Sequence, residues 1–482
     1  MNRRMFIQSL AVAAVAGGFV RLARAEEQFR ANPRQAELPA ADAPLASKPN
    51  ILLIVSDDAG YADFGFQGCK DIPTPHLDRL AAGGVRFTQG YVPGCVCSPS
   101  RAGILSGKTP ARIGHENNLE SVGGIDTATV LLPARLKEAG YHTGAIGKWH
   151  LGSGEQYQPW RRGFDEFYGF LAGQNNYLVP ADKPQAKNWM LRNGEKVEEK
   201  EYLTTAFARE AVEFMERNNS QPWFLYLAFN AVHCPMQADP PTLKKFAGIK
   251  DKNRRVLAAM TSSLDDAVGR VLDKLDATGQ ATNTLLIFVN DNGGATYSRM
   301  YNVPLRGHKG TLFEGGIRVP FLARWPGVFA AGKDYAAPLC ATDLLPTFLA
   351  AAGAQPSAWS DSDGVNLLPF LTGQQKERPH STLFWRANIV AAVRDGDWKL
   401  IRIRDHDPLL FNLADDIAEA HDLAAAQPTR VADLLKKIEA WEKPFPPARW
   451  TNGEYWEKAI LKYHIGPPRY QGPLNPALVD QE

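Results

Sequence analysis

The sequence predicts an α/β fold: a large, mostly parallel sheet sandwiched by helices, followed by a smaller C-terminal α+β subdomain with a short antiparallel sheet. Three observations carry this expectation. From residue 50 to about 294, short continuous apolar runs alternate with longer amphipathic stretches, as when strands buried on both faces are joined by crossover helices. The apolar runs end in polar clusters, among them Asp57-Asp58, Lys148-x-His150, His233 and Asp291-Asn292. Open α/β sheets bind ligands at such strand ends. Beyond about residue 375 the texture changes to strand-like segments around Asp395-Gly396, a turn pair.

Residues 1–25 have a basic start, a short apolar stretch and an Ala-Arg-Ala ending, the pattern of a cleaved signal peptide. The pair Arg3-Arg4 followed by Met5-Phe6-Ile7 resembles a twin-arginine signal, so the expected location is periplasmic or secreted. The apolar stretch is too short for a comfortable membrane span, and no stable membrane insertion is expected after its removal. Losing this segment removes four arginines and no acids, turning the formal charge from +2 to −2. A chain so balanced shows no nucleic-acid footprint. Residues 26–48, rich in Ala and Pro, read as a linker.

The stretch 50–60 reads as a buried strand that ends at its acids. In 92–108, Ser98 suits a helix N-cap, Pro99 the first helical position, and Gly107 the close of about two turns. Residues 126–140 are amphipathic, with Gly140 as the C-cap, and 141–152 form the next strand and its exit. Helices at 204–219 and 253–279 precede strands at 222–235 and 284–294. A hairpin is expected at 382–403 and a helix at 428–443, placing a boundary between 49–375 and 376–482.

Five cysteines occur, Cys69, Cys95, Cys97, Cys234 and Cys340, an odd number that leaves one outside any disulfide. Cys95-x-Cys97 lacks zinc spacing. Cys97 stands at the mouth of the expected helix, where free N–H groups and the dipole favour anions, and Arg101 lies one turn on. That describes a reactive residue with anion support or a buried structural cysteine.

Cys97-Ser98-Pro99-Ser100-Arg101 resembles the C-x-P-S-R signature of the formylglycine-dependent sulfatases. Residues 140–152 resemble their second signature, and 56–65, 290–294 and 309–320 resemble three further blocks in the family's order. The likeness runs from about residue 49 to 345, and is to bacterial exported arylsulfatases and N-acetylgalactosamine-sulfatases of the alkaline-phosphatase-like superfamily. Two positions depart: Val96 precedes the cysteine, and Leu105-Ser106-Gly107-Lys108 stands where Leu-Thr-Gly-Arg is common.

The resemblance implies that a formylglycine-generating enzyme oxidises Cys97 to formylglycine (3-oxoalanine). A thiol that accepts a sulfuryl group has no easy way to release it. An aldehyde hydrate carries two hydroxyls on one carbon, one to attack sulfur and one to restore the carbonyl and expel sulfate. Asp57, Asp58, Asp291 and Asn292 offer only oxygen donors, a set that suits a hard cation, Ca²⁺ first and Mg²⁺ second. By resemblance the modified Cys97 joins them as a ligand. Adjacent Asp57 and Asp58 can converge only if the strand has already ended. Lys148 and His150 share a face if the strand continues. By resemblance Lys148 lies near the sulfate and His150 near the formylglycine hydroxyl. His233 and Lys309 contact sulfate and supply candidate general acids, and Arg101 orients formylglycine. Substrates of the family are aryl sulfates and sulfated sugars. The stretches 112–118, 152–177 and 296–307 are expected to line the pocket, with Trp160, Tyr177 and Trp189 able to stack on sugar rings. A formylglycine-dependent phosphonate or phosphodiester hydrolase and a non-catalytic sulfated-glycan binder are the alternatives. The second needs a broken site, and none of these positions is broken.

Overall fold

The computed structural model describes residues 48–118, 123–179, 188–451 and 453–467. The expected signal peptide, and all but the last residue of the expected linker, lie outside the described residues. The first strands are β1 (Asn50–Ser56), β2 (Val85–Phe87), β3 (Gly90–Tyr91), β4 (His142–Lys148), β5 (Glu166–Phe170) and β6 (Trp189–Arg192). They are followed by β7 (Glu195–Glu198), β8 (Trp223–Ala228), β9 (Thr284–Asn290), β10 (Phe321–Arg324), β11 (Lys333–Tyr335) and β12 (Leu339–Cys340). Ten of them build one sheet in the order β11-β2-β10-β9-β1-β8-β4-β5-β6-β7, while β3 and β12 pair separately. Neighbours from β9 through β5 are parallel, and the flanking β9–β10, β10–β2, β5–β6 and β6–β7 pairs are antiparallel.

Every residue of β1, β8 and β9 is buried. Their alternating faces enter two cores. Ile51, Leu53 and Val55 pack with Leu132, Leu136, Leu345 and Phe348, and Leu52 and Ile54 pack with Phe207, Leu257 and Leu264 of the long helices. Each such side chain contributes about 1.5–3 kcal/mol by leaving water, and burial on both faces explains the unbroken apolar runs. The helices begin where their caps dictate. Asp251 accepts the Arg254 N–H to start Lys252–Ala277, and Pro428 occupies the first turn of Pro428–Glu442.

Two expected elements differ. The helix expected over 126–140 is only Leu132–Glu138, because Pro133 fixes its first turn and Asp126 binds the N–H groups of Ala128 and Thr129 in a turn before it. Gly140 follows the helix with φ +84° and donates to the Lys137 carbonyl. The stretch 382–403 is three strands rather than a hairpin: β13 (Thr382–Ala387), β14 (Val390–Asp395) and β15 (Trp398–Ile403), continued by β16 (Leu409–Asn412) in an antiparallel meander. Its tight turns use Asn388 and Gly396 at φ +58° and +60°.

Candidate active site

Four adjacent parallel strands, β9, β1, β8 and β4, deliver side chains to one edge of the sheet. Asp291 and Asn292 follow β9, Asp57 and Asp58 follow β1, His233 lies beyond β8, and Lys148 ends β4. Gly147 brings β4 close to β8. It has φ +107°, and a Cβ there would lie 1.9 Å from the Ala228 carbonyl oxygen, so a side chain at 147 would displace Lys148. β1 does end at Ser56, and Asp58 turns into the left-handed region at φ +60°. The two carboxylates therefore converge.

Cys97 is the first residue of the helix Cys97–Ser106, and Gly107 closes it with φ +66°. The cap is not Ser98. Val96, in extended conformation, precedes the first turn. Ser98 Oγ is taken by tertiary partners: it donates to the His150 carbonyl at 2.6 Å and pairs with the His115 ring at 2.7 Å. Pro99 is tolerated two positions beyond Cys97 because its missing N–H is still one the helix leaves unpaired.

The thiol of Cys97 lies 3.5 Å from Asp57 Oδ1, 3.9 Å from Asp58 Oδ1 and 3.3 Å from Lys309 Nζ. Arg101 is fully buried. It donates to Asp291 Oδ2 at 2.9 Å and Asp57 Oδ2 at 3.2 Å, and to the Lys148 carbonyl at 3.2 Å. Lys148 donates to Asp57. Lys309 donates to Asp58 at 2.8 Å, and His233 Nε2 lies 3.5 Å from the same carboxylate. Asn292 gives one N–H to Asp58 Oδ1 at 2.8 Å, while its own Oδ1 is buried with no partner. Donor atoms of Asp57, Asp58, Cys97 and His233 all lie within 4.8 Å of one another.

The electrostatics follow from this crowding. Burial, then the neighbouring Cys97, pushes the Asp57 carboxyl up, and burial and Asp57 push Asp291 up. Burial opposes ionisation of Asp58 too, but Lys309, His233 and Lys148 overcome it and hold that carboxyl well below its usual range. Burial also opposes the Cys97 thiolate, yet Lys148 and Lys309 bring the thiol down to about 7. His233 loses hydration on burial, but Asp58 and Asp57 raise it to about 11. Burial, reinforced by Lys148 and Arg101, keeps His150 neutral. Two carboxylates that resist ionising, beside an unpartnered amide oxygen, form a donor set that a divalent cation would satisfy.

His150 reaches this region by a different route from the one expected. β4 stops at Lys148, and His150 has φ +58°, so the two do not share a strand face. Its ring packs against Gly173, where a Cβ would come within 2.7 Å of Nε2, and Nδ1 is buried without a partner. Tyr177 is fully buried and cannot stack on a ligand. Its hydroxyl donates toward the carbonyls of Asn230 and His233 and props the His233 loop. Trp160 packs on Phe167 at 5.8 Å between ring centres. Trp189 is 47% exposed. All five cysteines are free.

Three contributors were not singled out by sequence reasoning. The Tyr297 hydroxyl donates to Asp58, and its ring lies against His233. It falls within 296–307, but nothing local distinguishes one tyrosine there. Asn290 braces the β1 and β9 exits, accepting from Ser56 Oγ at 2.8 Å and the Ala59 N–H at 3.1 Å. Its position directly before Asp291 is the only signal. His115, in 112–118, holds Ser98.

The comparisons with known proteins agree with this geometry. A family model described as Sulfatase matches residues 49–354, well over half of the chain. The chain is 36% identical to the N-acetylgalactosamine-6-sulfatase of Homo sapiens, over 73% of this chain and 71% of that one. It is 34% identical to arylsulfatase A of Bos taurus, over 86% and 93% of the two chains. The crystal structure of Ps i-CgsB in complex with k-i-k-neocarrahexaose superposes with a TM-score of 0.80 at 38% identity, covering 87% of this chain and 98% of that one. The chain belongs to the sulfatase family, within the alkaline-phosphatase-like superfamily, and is a sulfuric ester hydrolase.

Proposed function

We propose that this enzyme hydrolyses the sulfate ester of a sulfated carbohydrate, with formylglycine derived from Cys97 as nucleophile and Ca²⁺ at the acidic cluster. The observation that carries this reading is the gathering of three buried carboxylates and four cationic side chains around Cys97, with Asn292 Oδ1 left unpartnered. Asp57, Asp58, Asp291, Asn292 and the modified side chain at 97 would hold the ion, which when bound polarises the sulfate and favours the ionised nucleophile. The formylglycine hydrate would supply one hydroxyl to attack sulfur and a second to drive release.

The remaining chemistry rests on this chain's own groups. Arg101 holds Asp57 and Asp291 in place. Lys148 and Lys309 bring positive charge to an ester that gains negative charge as it is attacked. His233, kept protonated by Asp58 and Asp57 against the cost of burial, gives its proton to the leaving oxygen, which a sugar alkoxide needs. Lys309 is the second candidate donor. His150, neutral and with Nδ1 unpartnered, accepts the proton of the second hydroxyl. The relatives' names support a carbohydrate: one acts on N-acetylgalactosamine 6-sulfate, and another was solved with a neocarrahexaose.

We place this chemistry in residues 49–375, with 376–482 as a supporting subdomain. The protein is exported, residues 1–25 directing it to the twin-arginine route, and its maturation requires a formylglycine-generating enzyme. No helix among the described residues is long and apolar enough to cross a membrane. The test is the mass of the Cys97 peptide in active enzyme, which should lose sulfur and two hydrogens and gain one oxygen. A strong chelator should abolish turnover, and Ca²⁺ should restore it. Active enzyme with an unmodified thiol, or full activity in metal-free protein, would overturn the mechanism.

A further inference from the structure

A cavity of about 440 Å³ adjoins the site, within the range of small-molecule sites. Two of its walls connect it to the chemistry. His150 lines it directly. Gln174, on another wall, accepts from the Cys234 thiol at 3.5 Å, and that thiol lies 3.4 Å from His233 Nδ1. The Gln174 wall is therefore separated from the expected proton donor by the single residue Cys234. Much of its surface is backbone: Gly152, Gly169 and Gly173 present no side chains, which leaves a flat approach for a ring.

The far wall is the β6–β7 hairpin, the last antiparallel pair of the large sheet. Its register places Trp189 opposite Glu198 and Leu191 opposite Lys196. Residues two apart on a strand, and partners directly across, share a face. Trp189, Leu191 and Lys196 line the cavity from this face, and Met190 also contributes to it, while Glu198 does not. Trp189 is nearly half exposed, although Met190 beside it is fully buried. Lys196 is diagonal to Trp189, a spacing of roughly 7–8 Å between backbones. The cavity thus offers an aromatic plane, an ammonium beside it, and the amides of Gln174 and Asn175. This is the equipment for a sugar ring that bears hydroxyls and a negative group.

We propose that this cavity binds the part of the glycan beyond the residue carrying the scissile sulfate, with Trp189 stacking on the neighbouring ring and Lys196 pairing with a second anionic substituent. The inference rests on the carbohydrate reading above and makes the preferred substrate an oligosaccharide with more than one anionic group.

The experiment compares Trp189→Ala and Lys196→Gln with the native enzyme on nitrophenyl sulfate, N-acetylgalactosamine 6-sulfate, and size series of sulfated neocarra- and chondroitin 6-sulfate oligosaccharides. Native kcat/KM should rise with chain length. Both variants should stay within about twofold of native on the two small substrates, and raise KM about tenfold on the longer chains with kcat unchanged, the pattern of lost uniform binding. The Lys196→Gln loss should shrink as salt is added. A native preference for long chains that survives both substitutions, or no gain with length, would overturn the subsite and leave the carbohydrate reading standing. Turnover of nitrophenyl sulfate with no turnover of any sulfated sugar would overturn that reading and the subsite together.

Discussion

Among the described residues, the fully buried carboxylates around Lys399 and those around Cys97 have different surroundings. Beneath the C-terminal sheet, Glu314 and Glu419 both meet Lys399 at 2.8 Å. Tyr91 donates to the other oxygen of Glu314 at 2.6 Å, and the Glu314 N–H donates to Glu419 at 2.7 Å. Oε1 of Glu419 faces the Lys399 ammonium as an ion pair outside hydrogen-bond alignment. All four oxygens thus have a donor or cation within 2.8 Å. Around Cys97, Asp57, Asp58 and Asp291 meet Lys148, Lys309, Arg101 and His233, yet Asn292 Oδ1 and His150 Nδ1 stay buried and unpartnered. Buried polar atoms are ordinarily satisfied, so the exceptions need a reason. The first group closes on itself and holds the meander to the segment after Lys309. The second is arranged for something that binds.

That contrast can be broken most directly at Asp291. Asp291→Asn keeps the shape and removes one charge that burial already disfavours. Activity should fall more than about a thousandfold, with the melting midpoint little changed. Activity within tenfold of native would mean that the site's charges are structural, like those around Lys399. The converse change is Lys399→Met, which leaves two buried carboxylates without their shared cation. It should cost about 3 kcal/mol of stability by chemical denaturation, with kcat per folded molecule within a few-fold of native. A large loss of kcat with no loss of stability would reverse the two roles. A subtler test concerns His233. His233→Ala should lose about a hundredfold on a sugar sulfate and far less on nitrophenyl sulfate, whose leaving group needs little protonation. Equal losses on both would make His233 a sulfate contact only.

The two groups were not equally legible in the sequence. Asp57, Asp58, Lys148, Asp291 and Asn292 stand out because apolar strands end beside them, and strand ends are where such folds place chemistry. Lys399 stands out in no way: it sits in an ordinary strand-like segment, and its partner Glu314 is 85 residues away. Local rules failed where tertiary partners outbid them. Ser98 has the right chemistry for a cap, but the His150 carbonyl and the His115 ring claim its hydroxyl. The left-handed turn at His150 is equally invisible, since Trp149-His150 carries no turn residue that would announce it. Trp160, Tyr177 and Trp189 look alike in sequence, and only packing separates the buried Tyr177 and the half-buried Trp160 from the exposed Trp189.

The smallest expected effect tests whether the closed group is closed electrostatically as well as geometrically. Burial, together with the nearby Glu314 carboxylate, raises the Glu419 carboxyl to about 7, although Lys399 pulls the other way. Burial opposes ionisation of Glu314 too, but Lys399, Arg318 and Arg394 overcome it and hold that carboxyl below its usual range, so it stays ionised above pH 5. Glu419 binds its proton more tightly in the folded chain than in the unfolded one. Its contribution to stability is therefore complete below the ordinary glutamate range and is lost as pH rises through about 7. Glu419→Gln removes the titration and keeps a polar group of similar shape. Between pH 5 and pH 8 the native enzyme should lose on the order of 2 kcal/mol more stability than the Glu419→Gln variant. Urea unfolding of both proteins at the two pH values measures that difference. Parallel pH profiles would mean that Lys399 neutralises both glutamates at once, and that the group beneath the meander carries its full charge.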